Sequence, residues 1–355
     1  MILDIKFPAV IIFGAGATRG AFADKKPPPP LDRDFFEIAG QLKGRGTRPI
    51  AVKVLKSVWD IYHKIDGIGL EEYYREVETR ARISSFAKAK HGPKDWVRRR
   101  EELQELIRRV FIQTTADMRS KPSRPWPSPI HEAVLKTLKP KCTVITFNYD
   151  LVIEESFTNA GLWNLRDGFG IKVSGVLAEW SKHWYERSDL GSKRQKSSVT
   201  LLKLHGSLGW RQYPNRQIKI KDRPYVVRKG RNEKISIIPP GWNKPIDRNP
   251  YKELWRSARQ SLEGCKSLMI VGYSLPETDL LAKALFAEVI RSRESRRQRL
   301  VNLFLVDRSE EVKDKFTEMF RPALGHLGKV FRYRSFEELG KMLRESAEPQ
   351  DGLTG

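Results

Sequence analysis

Short apolar runs recur along the chain, separated by stretches in which apolar residues return at helical spacing. Residues 9–13 are typical, because five apolar residues in succession match a strand that is buried on both faces. Strands of this kind alternating with amphipathic helices predict an α/β fold with a doubly wound parallel sheet. The predicted strands cover residues 9–13, 142–147, 199–204, 266–271, 301–306 and 330–333, and helices are expected from Asp150, over 278–291, over 309–320 and after the last strand.

A long segment between the first two predicted strands has a different pattern. The prolines at 27–30 fix an extended backbone, and from Asp34 to about Leu138 the apolar positions follow helical spacing with hardly a strand signal. We therefore predict a large all-helical insertion over residues 31–138.

The remaining segments complete the predicted domain organisation. Short β segments separated by turns predict a small antiparallel β lobe over residues 208–240. Residues 346–355 are polar and are expected to form a disordered tail. The doubly wound domain itself is then formed by residues 1–30 together with 139–345.

Four segments rich in glycine and polar residues follow predicted strands. In an open, Rossmann-like α/β sheet, ligands bind beyond the carboxyl ends of the strands, so these segments can converge on one crevice. The first is Gly14-Ala15-Gly16-Ala17-Thr18, whose small residues let a backbone pass close to a ligand before a helix start that offers N–H groups to phosphate. The others lie within 146–150, 203–207 and 271–279.

The chain is strongly basic. Its 66 lysines and arginines against 43 acidic residues give a net charge of +23. Such an excess favours encounter with polyanions, so nucleic acid is a candidate partner, although each basic cluster alone is more often a solvated surface. The densest clusters lie within 98–109, 193–196, 211–231 and 291–299.

Cysteine content and hydropathy narrow the class of protein further. Cys142 and Cys265 are the two cysteines, both at the start of predicted core strands, so a site of two Cys-x-x-Cys pairs is excluded. No run approaches the length of a membrane span, and no secretory signal is recognisable. We expect a cytoplasmic protein without bound metal and without a membrane partner.

The four strand-end segments resemble, in order and spacing, those of the sirtuin-like proteins. The Gly-Ala-Gly loop of that family resembles Gly14-Ala15-Gly16, and its Asn-x-Asp resembles Asn148-Tyr149-Asp150. Its catalytic His-Gly pair resembles His205-Gly206, and its Gly-Thr-Ser-Leu loop resembles Gly272-Tyr273-Ser274-Leu275. The resemblance implies an NAD-binding domain with NAD as substrate.

Two departures from the family pattern refine the implied activity. The zinc ribbon of the deacylases is missing, and their Gly-Ile-Pro-Asp-Phe-Arg segment is replaced by the sequence at 29–36. Both departures resemble the zinc-free, NAD-hydrolysing branch found in bacterial antiphage defence. The implied function is an NAD+ glycohydrolase that acts as a defence effector by depleting NAD.

The catalytic residues are predicted from the chemistry of cleaving the nicotinamide–ribose bond. An oxocarbenium-like transition state needs a positioned water or hydroxyl and a base for its proton. His205 is assigned as the base, and Asn148, which both donates and accepts hydrogen bonds, as the group that holds a water and a ribose hydroxyl. Asp150 is expected to cap the following helix and to support Asn148.

The predicted NAD-binding residues come from the same segments and from two more positions. Gly272 and Ser274 suit a pyrophosphate, and Asp307 follows a strand where an acidic residue often bonds the adenine ribose. Whether Asp32 or Asp34 lies on the nicotinamide side is left open. The full predicted set is Gly14, Ala15, Gly16, Thr18, Asp32, Asp34, Gly272, Ser274 and Asp307.

Two other functions remain open from the sequence. A catalytically silent sirtuin-like subunit that binds nucleic acid or a partner would explain the charge, and an NAD-dependent protein deacylase is the less favoured alternative. Because uncontrolled NAD hydrolysis would kill the host, we expect regulation by assembly, in a homo-oligomer or in a complex with a separate sensor or ATPase subunit.

Overall fold

The computed structural model describes most of the chain. Interruptions fall mainly in the helical segment and in and around the predicted β lobe. The described residues are 3–44, 46–84, 92–117, 124–163, 167–171, 175–176, 197–212, 218–220, 234–238 and 246–346.

A six-stranded parallel sheet forms the centre of the described structure. Its strands are β1 (Ala9–Phe13), β4 (Thr143–Thr146), β6 (Thr200–Lys203), β10 (Ser267–Val271), β11 (Leu300–Val306) and β12 (Leu324–Tyr333). Their spatial order is β6-β4-β1-β10-β11-β12, so the chain starts in the middle, builds outward to one side and then crosses to the other. This is the strand order of a Rossmann fold, and it confirms the predicted doubly wound sheet.

The inner strands are apolar because helices cover both faces of the sheet. Every residue of β1, β4 and β10 is buried, so these strands have no solvent-facing side, and Thr146 of β4 donates a hydrogen bond to Phe13 O of the neighbouring strand. Strand β12 lies at the edge of the sheet, and its residues are half-buried or exposed. It begins six residues earlier than predicted.

Helices occupy most of the remaining described residues. They are α1 (Ala15–Ala21), α2 (Phe35–Gln41), α3 (Arg48–Tyr62), α4 (Leu70–Ile83), α5 (Pro93–Thr115), α6 (Pro129–Leu135), α7 (Val152–Ala160), α8 (Tyr251–Gly264), α9 (Leu280–Ser295), α10 (Glu310–Phe320) and α11 (Phe336–Glu345). Helix α8 has no counterpart among the predicted elements, and α9 runs four residues beyond its predicted end.

Two short sheets complete the described fold. Strands β2 (Ala116–Asp117) and β3 (Arg124–Pro125) pair after α5. The second sheet contains β5 (Gly175–Val176), β7 (Gly206–Gln212), β8 (Ile218–Ile220) and β9 (Lys234–Ile237). Its order is β5-β8-β7-β9, with β7 antiparallel to both neighbours and β5 parallel to β8.

The buried apolar residues form two clusters. The larger one contains the central sheet together with α6 to α11, including Leu135 at the end of α6. The second joins α2 to α5, and it also includes Tyr149 and Leu208, which follow parallel strands at their carboxyl ends. The helical segment therefore packs over that end of the sheet. The limits predicted for the helical insertion, 31–138, remain a prediction, and so do the limits of the β lobe and of the tail. The last nine residues of the tail lie outside the described ranges.

Candidate functional site

Two glycine-containing turns meet where the strand order reverses, between β1 and β10. Gly14 N donates to Val271 O at 3.0 Å, and Gly16 N donates to Gly272 O at 2.9 Å. A Cβ atom on Gly14 would lie 2.4 Å from Gly272 O, and one on Gly272 would lie 2.2 Å from Ala17 N. Gly272 also has a φ of +57°, a region that favours glycine. Both glycines are needed for contact between two backbones.

This contact changes the predicted role of the first loop. The amide of Gly16 is already bonded to Gly272 O, and that of Ala17 to Gly14 O, so neither is free to meet a phosphate. Ala15 begins α1, and Thr18 lies buried within that helix. The main contacts of the turn are therefore packing contacts. They lie at the topological switch point of the sheet, where ligands of this fold bind.

Asn148 connects this turn to the end of β4. Its Nδ2 donates to Gly14 O at 3.0 Å and to Thr18 Oγ1 at 3.1 Å, which uses both hydrogens of the amide. Thr18 Oγ1 in turn donates to Asp150 Oδ2 at 3.0 Å. The amide is therefore held in one orientation, and its Oδ1 is the atom that can accept from a ligand hydroxyl.

Asp150 supports this arrangement and also accepts a hydrogen bond from the start of the next helix. Its Oδ1 accepts from Val152 N, the first residue of α7, at 3.0 Å. The predicted cap is wrong by one position, because the N-cap of α7 is Leu151 and Asp150 bonds the first helical amide from the residue before it. Asp150 supports Asn148 through the hydroxyl of Thr18. Burial raises the pKa of Asp150, and the nearby Lys203 opposes that shift.

His205 follows β6, the neighbour of β4, so its ring reaches the same end of the sheet. The residue is buried, with 3% of its surface exposed. Its ring lies edge-on to Phe147 at 5.1 Å between centroids and 6.3 Å from Tyr149. The chain can turn sharply after the histidine because Gly206 adopts a φ of +80°, at a point where a Cβ atom would lie 2.1 Å from Ser236 O.

Asp279 is an acidic residue beside this histidine. Asp279 Oδ2 lies 3.8 Å from His205 Nε2 and accepts from Tyr273 OH at 2.8 Å. The Tyr273 ring stacks on Phe147 with centroids 4.4 Å apart. The sequence pattern predicted neither Tyr273 nor Asp279 as a site residue. Asp279 is also the N-cap of α9, and its Oδ1 accepts from Ala282 N.

A buried ion pair lies behind the two predicted catalytic residues. Lys203 Nζ is 2.8 Å from Glu154 Oε1, and both side chains are 1% exposed. Lys203 Nζ also donates to Asp150 O, and Ser207 Oγ donates to Glu154 Oε1 at 3.1 Å. Burial raises the pKa of Glu154, while the ammonium of Lys203 favours its ionised form. This network joins α7 to both sides of His205.

The acidic residues of the 29–36 segment are bonded within the protein. Asp32 Oδ1 accepts from Glu71 N at 2.8 Å, so it covers the start of α4, and burial is the main cause that raises the pKa of Asp32. Asp34 forms an ion pair with Arg19 of α1 and accepts from Leu31 N at 2.7 Å. Thr278 Oγ1 donates to Glu71 Oε2, which ties α4 to the loop before α9. The question of Asp32 against Asp34 thus stays open.

Asp307 and Gly272 lie together at a second part of the crevice. A cleft of about 160 Å³ at the ends of β10 and β11 is lined by both residues and by Tyr273 and Lys313. Asp307 Oδ1 accepts from Ser309 N at 2.8 Å, and burial raises the pKa of Asp307. Ser274 is exposed and is absent from the residues that line this cleft.

Several residues of the basic clusters have structural contacts. Arg293 is 2% exposed and donates to the backbone oxygens of residues 262, 263 and 265, and Arg211 donates to Leu208 O and Trp210 O. Arg108 is buried and bonded to Glu105. Arginines at 296, 297 and 299 are exposed. The 193–196 cluster and nearly all of 212–231 lie outside the residues whose side chains are described.

The described part of the chain contains neither a cluster of metal-binding side chains nor a helix that could span a membrane. No group of three or more histidine, cysteine or acidic side chains in those ranges could hold a metal ion. Among the same residues no helix is long and apolar enough to cross a membrane.

Fold and site geometry together define a Rossmann-type α/β protein with a candidate ligand site at its topological switch point. Residues 142–321 match the model of the SIR2-like domain, and this match spans half of the chain. The chain belongs to the SIR2-like domain family, a class of NAD-related domains.

Comparison with solved structures gives low similarity over nearly complete chains. A Sir2 mutant with a p53 peptide and NAD is 12% identical, with 95% of this chain and 92% of that chain covered and a TM-score of 0.40. A mutant Sir2 homologue in complex with ADP-ribose is 13% identical, with 97% and 94% covered and a TM-score of 0.41. Comparison with curated proteins gives no match. The family assignment therefore rests on the domain match.

Proposed function

We propose that this protein is an NAD+ glycohydrolase, converting NAD+ and water to nicotinamide, ADP-ribose and a proton. The observation that carries the proposal is that Asn148 and His205 lie at the ends of adjacent strands, next to the switch point at Gly14 and Gly272. A nucleotide bound across that point would place its ribose beside both side chains.

The contacts of these two residues suit the proposed roles. With Nδ2 fixed by Gly14 O and Thr18 Oγ1, Asn148 would present Oδ1 to a ribose hydroxyl or to the attacking water. The ring of His205 would accept the proton that the water loses. Phe147 and Tyr149 lie beside that ring, and Tyr273 stacks on Phe147, so these aromatic side chains would exclude bulk water.

We further propose that substrate entry requires the helical segment to move. Asn148 and His205 are 7% and 3% exposed, so a substrate cannot reach either side chain without a rearrangement of the residues that cover them. Helix α4 is tied to the site loop by Glu71 and Thr278. A closed resting state of this kind supports the proposal that the protein is a defence effector. Such an effector would deplete NAD only when a partner or an assembly step opens the site.

The test is direct incubation with NAD. Purified protein, alone and with candidate partners, should release nicotinamide and ADP-ribose in equal amounts, measured by liquid chromatography. Asn148→Ala should abolish the release, whereas Asn159→Ala, a change at an exposed asparagine near the end of α7, should leave it unchanged. Absence of both products under every condition, with folded protein, would refute the proposal.

A second candidate function is a silent subunit that binds nucleic acid or a partner. The net charge of +23 and the exposed arginines at 296, 297 and 299 favour it. Incubation with NAD distinguishes the silent subunit from the glycohydrolase, since a silent subunit binds its partner and releases no nicotinamide.

A further inference from the structure

Asp279 has more contacts than a helix cap requires. As the N-cap of α9 it needs one oxygen, and Oδ1 supplies it by accepting from Ala282 N. Serine, threonine or asparagine would do the same, since each offers an acceptor without a charge. The second oxygen and the negative charge of Asp279 therefore need another explanation.

The second oxygen faces the predicted catalytic centre. Oδ2 accepts from Tyr273 OH at 2.8 Å and lies 3.8 Å from His205 Nε2. Asp279 is 1% exposed, and a buried carboxylate is costly unless charged or polar groups compensate it. The start of the sixteen-residue α9 and the tyrosine hydroxyl provide part of that compensation.

The contacts of Asp279 span the sheet. Tyr273 follows β10 and His205 follows β6, and these strands are separated by β1 and β4. Tyr273 also stacks on Phe147, the residue before Asn148. One carboxylate thus joins the loop at the switch point to the histidine on the far side of the site.

We propose that Asp279 is a positioning residue for His205, holding the imidazole in place and stabilising the positive charge that forms when the ring takes up a proton. Tyr273 fixes the carboxylate in this position. The inference rests on the proposed function for its role in catalysis, although the interaction itself can be measured without turnover.

Other ionisable groups act on the aromatic residues near this histidine. Burial is the main cause that raises the pKa of Tyr149 and of Tyr273; Glu71 of α4 adds to the shift of both, and for Tyr273 it follows Asp279. Lys203 is two residues away, but its ammonium is engaged by Glu154 and Asp150 O. The carboxylate of Asp279 lies within 4 Å of Nε2, so its charge should dominate.

The experiment removes the charge and keeps the cap. Asp279→Asn retains an acceptor for Ala282 N, so α9 should stay folded. With ¹³C-labelled histidine, the NMR titration midpoint of His205 should move to lower pH by about one unit, because an opposite charge within about 4–6 Å favours the protonated ring. Asp95→Asn, which removes an acid from the first turn of α5, should leave it unchanged.

Activity provides the second measurement. Asp279→Asn should lower kcat for NAD cleavage at least tenfold with little change in KM, and Tyr273→Phe should lower it less. An unchanged titration midpoint in folded Asp279→Asn would overturn the proposal, as would an unchanged kcat in an active enzyme. If the wild-type protein cleaves no NAD, the proposed function fails, and the titration still decides whether Asp279 acts on His205.

Discussion

The two predicted catalytic residues differ in how their side chains are held. Asn148 uses both amide hydrogens to hold the Gly14 turn, which leaves its oxygen for a ligand. The ring of His205 instead faces aromatic rings and a carboxylate. Substitution of His205 should thus affect chemistry more than folding.

His205→Ala is expected to lower NAD cleavage about 100-fold or more, the usual scale for loss of a general base. The rate of nicotinamide release measures it, with circular dichroism to verify the fold. His326→Ala, at an exposed position in β12, is the matched control and should retain the wild-type rate. A folded His205→Ala protein with normal turnover would contradict the assignment.

His131 illustrates the cost of a buried ionisable group. Its ring is packed against Phe13 and Phe336, and Nδ1 lies 2.6 Å from Ser128 Oγ. Burial lowers the pKa of His131 to about 3 from an ordinary value of 6.5. Between these values the unfolded chain binds a proton that the folded chain does not, so stability falls as the pH drops through this window.

His131→Phe should therefore flatten the acid side of the stability profile. Urea unfolding at pH 7 and at about pH 4.5, inside the window set by the two pKa values, should show a smaller loss of free energy of unfolding for the variant than for the wild type. His326→Ala, in which an exposed histidine is removed, should keep the wild-type difference. Equal losses in His131→Phe and the wild type would refute the role of His131.

Secondary-structure elements are joined at the site by two kinds of contact. Backbone meets backbone at Gly14 and Gly272, and a buried ion pair, Lys203 with Glu154, joins β6 to α7. Both contacts form at the carboxyl ends of the parallel strands, where the fold leaves room for a ligand. Each can be tested against a control of similar chemistry elsewhere in the chain.

Gly272→Ala should be more destabilising than Gly161→Ala. Both glycines have positive φ, +57° and +68°, but a Cβ atom at 161 meets nothing within 4 Å. The loss at Gly161 should be about 1 kcal/mol, the cost of the left-handed backbone alone. Gly272→Ala adds the collision with Ala17 N and should lose roughly 2 kcal/mol more, on the scale of overpacking. Equal losses on urea unfolding would show that the two turns can separate freely.

Lys203→Met should lower the free energy of unfolding by roughly 3–5 kcal/mol, because it leaves the Glu154 carboxylate buried without its partner. The double variant Lys203→Met/Glu154→Gln should recover part of this loss. Lys283→Met breaks an ion pair with Glu277, which is 85% exposed, and should cost at most about 1 kcal/mol. A loss of that small size for Lys203→Met would show that the buried pair contributes little.

At the scale of the whole molecule, the helical segment and the parallel sheet share a boundary at the site. Phe111 of α5 packs edge-on to Tyr149, and Glu71 of α4 is bonded to Thr278. The second apolar cluster includes Leu208 from β7. Movement of the helical segment would therefore change the surroundings of Asn148 and His205 directly.

The basic surface at the end of α9 can be used to test whether binding of nucleic acid or an acidic partner is separate from binding of NAD. Replacing Arg296, Arg297 and Arg299 with glutamate should weaken association with nucleic acid or an acidic partner while NAD affinity stays nearly constant, because these residues lie beyond the far end of the helix that Asp279 caps. Binding of labelled DNA across a salt series measures the first effect, since removing a cation that neutralises a phosphate makes binding less dependent on salt. The triple lysine variant is the charge-preserving control. Parallel loss of NAD binding would place these arginines at the crevice.

Much of the site could be predicted from the sequence because strand ends are marked by local signals. Glycine after the apolar run at 9–13, and Asn148 and His205 after the next two strands of the sheet, point to the crevice without any knowledge of contacts. The apolar positions of α8 at Tyr251, Leu254, Trp255 and Ala258 carry a helical signal of the same local kind, although α8 is not among the predicted helices. These features depend on residues that are close together in the chain.

Contacts between distant segments depend on the three-dimensional structure. Asp279 belongs to a capping sequence, and it does cap α9, but its place beside His205 depends on the strand order and on the direction of two side chains. Gly14 has the sequence signature of a phosphate loop, yet the register of β1 against β10 brings it onto Gly272. Apolar periodicity and turn chemistry are local properties, so the sequence was enough to predict which residues reach the end of the sheet. Which of them touch was decided by sheet order and register, because those bring together residues that are far apart in the chain.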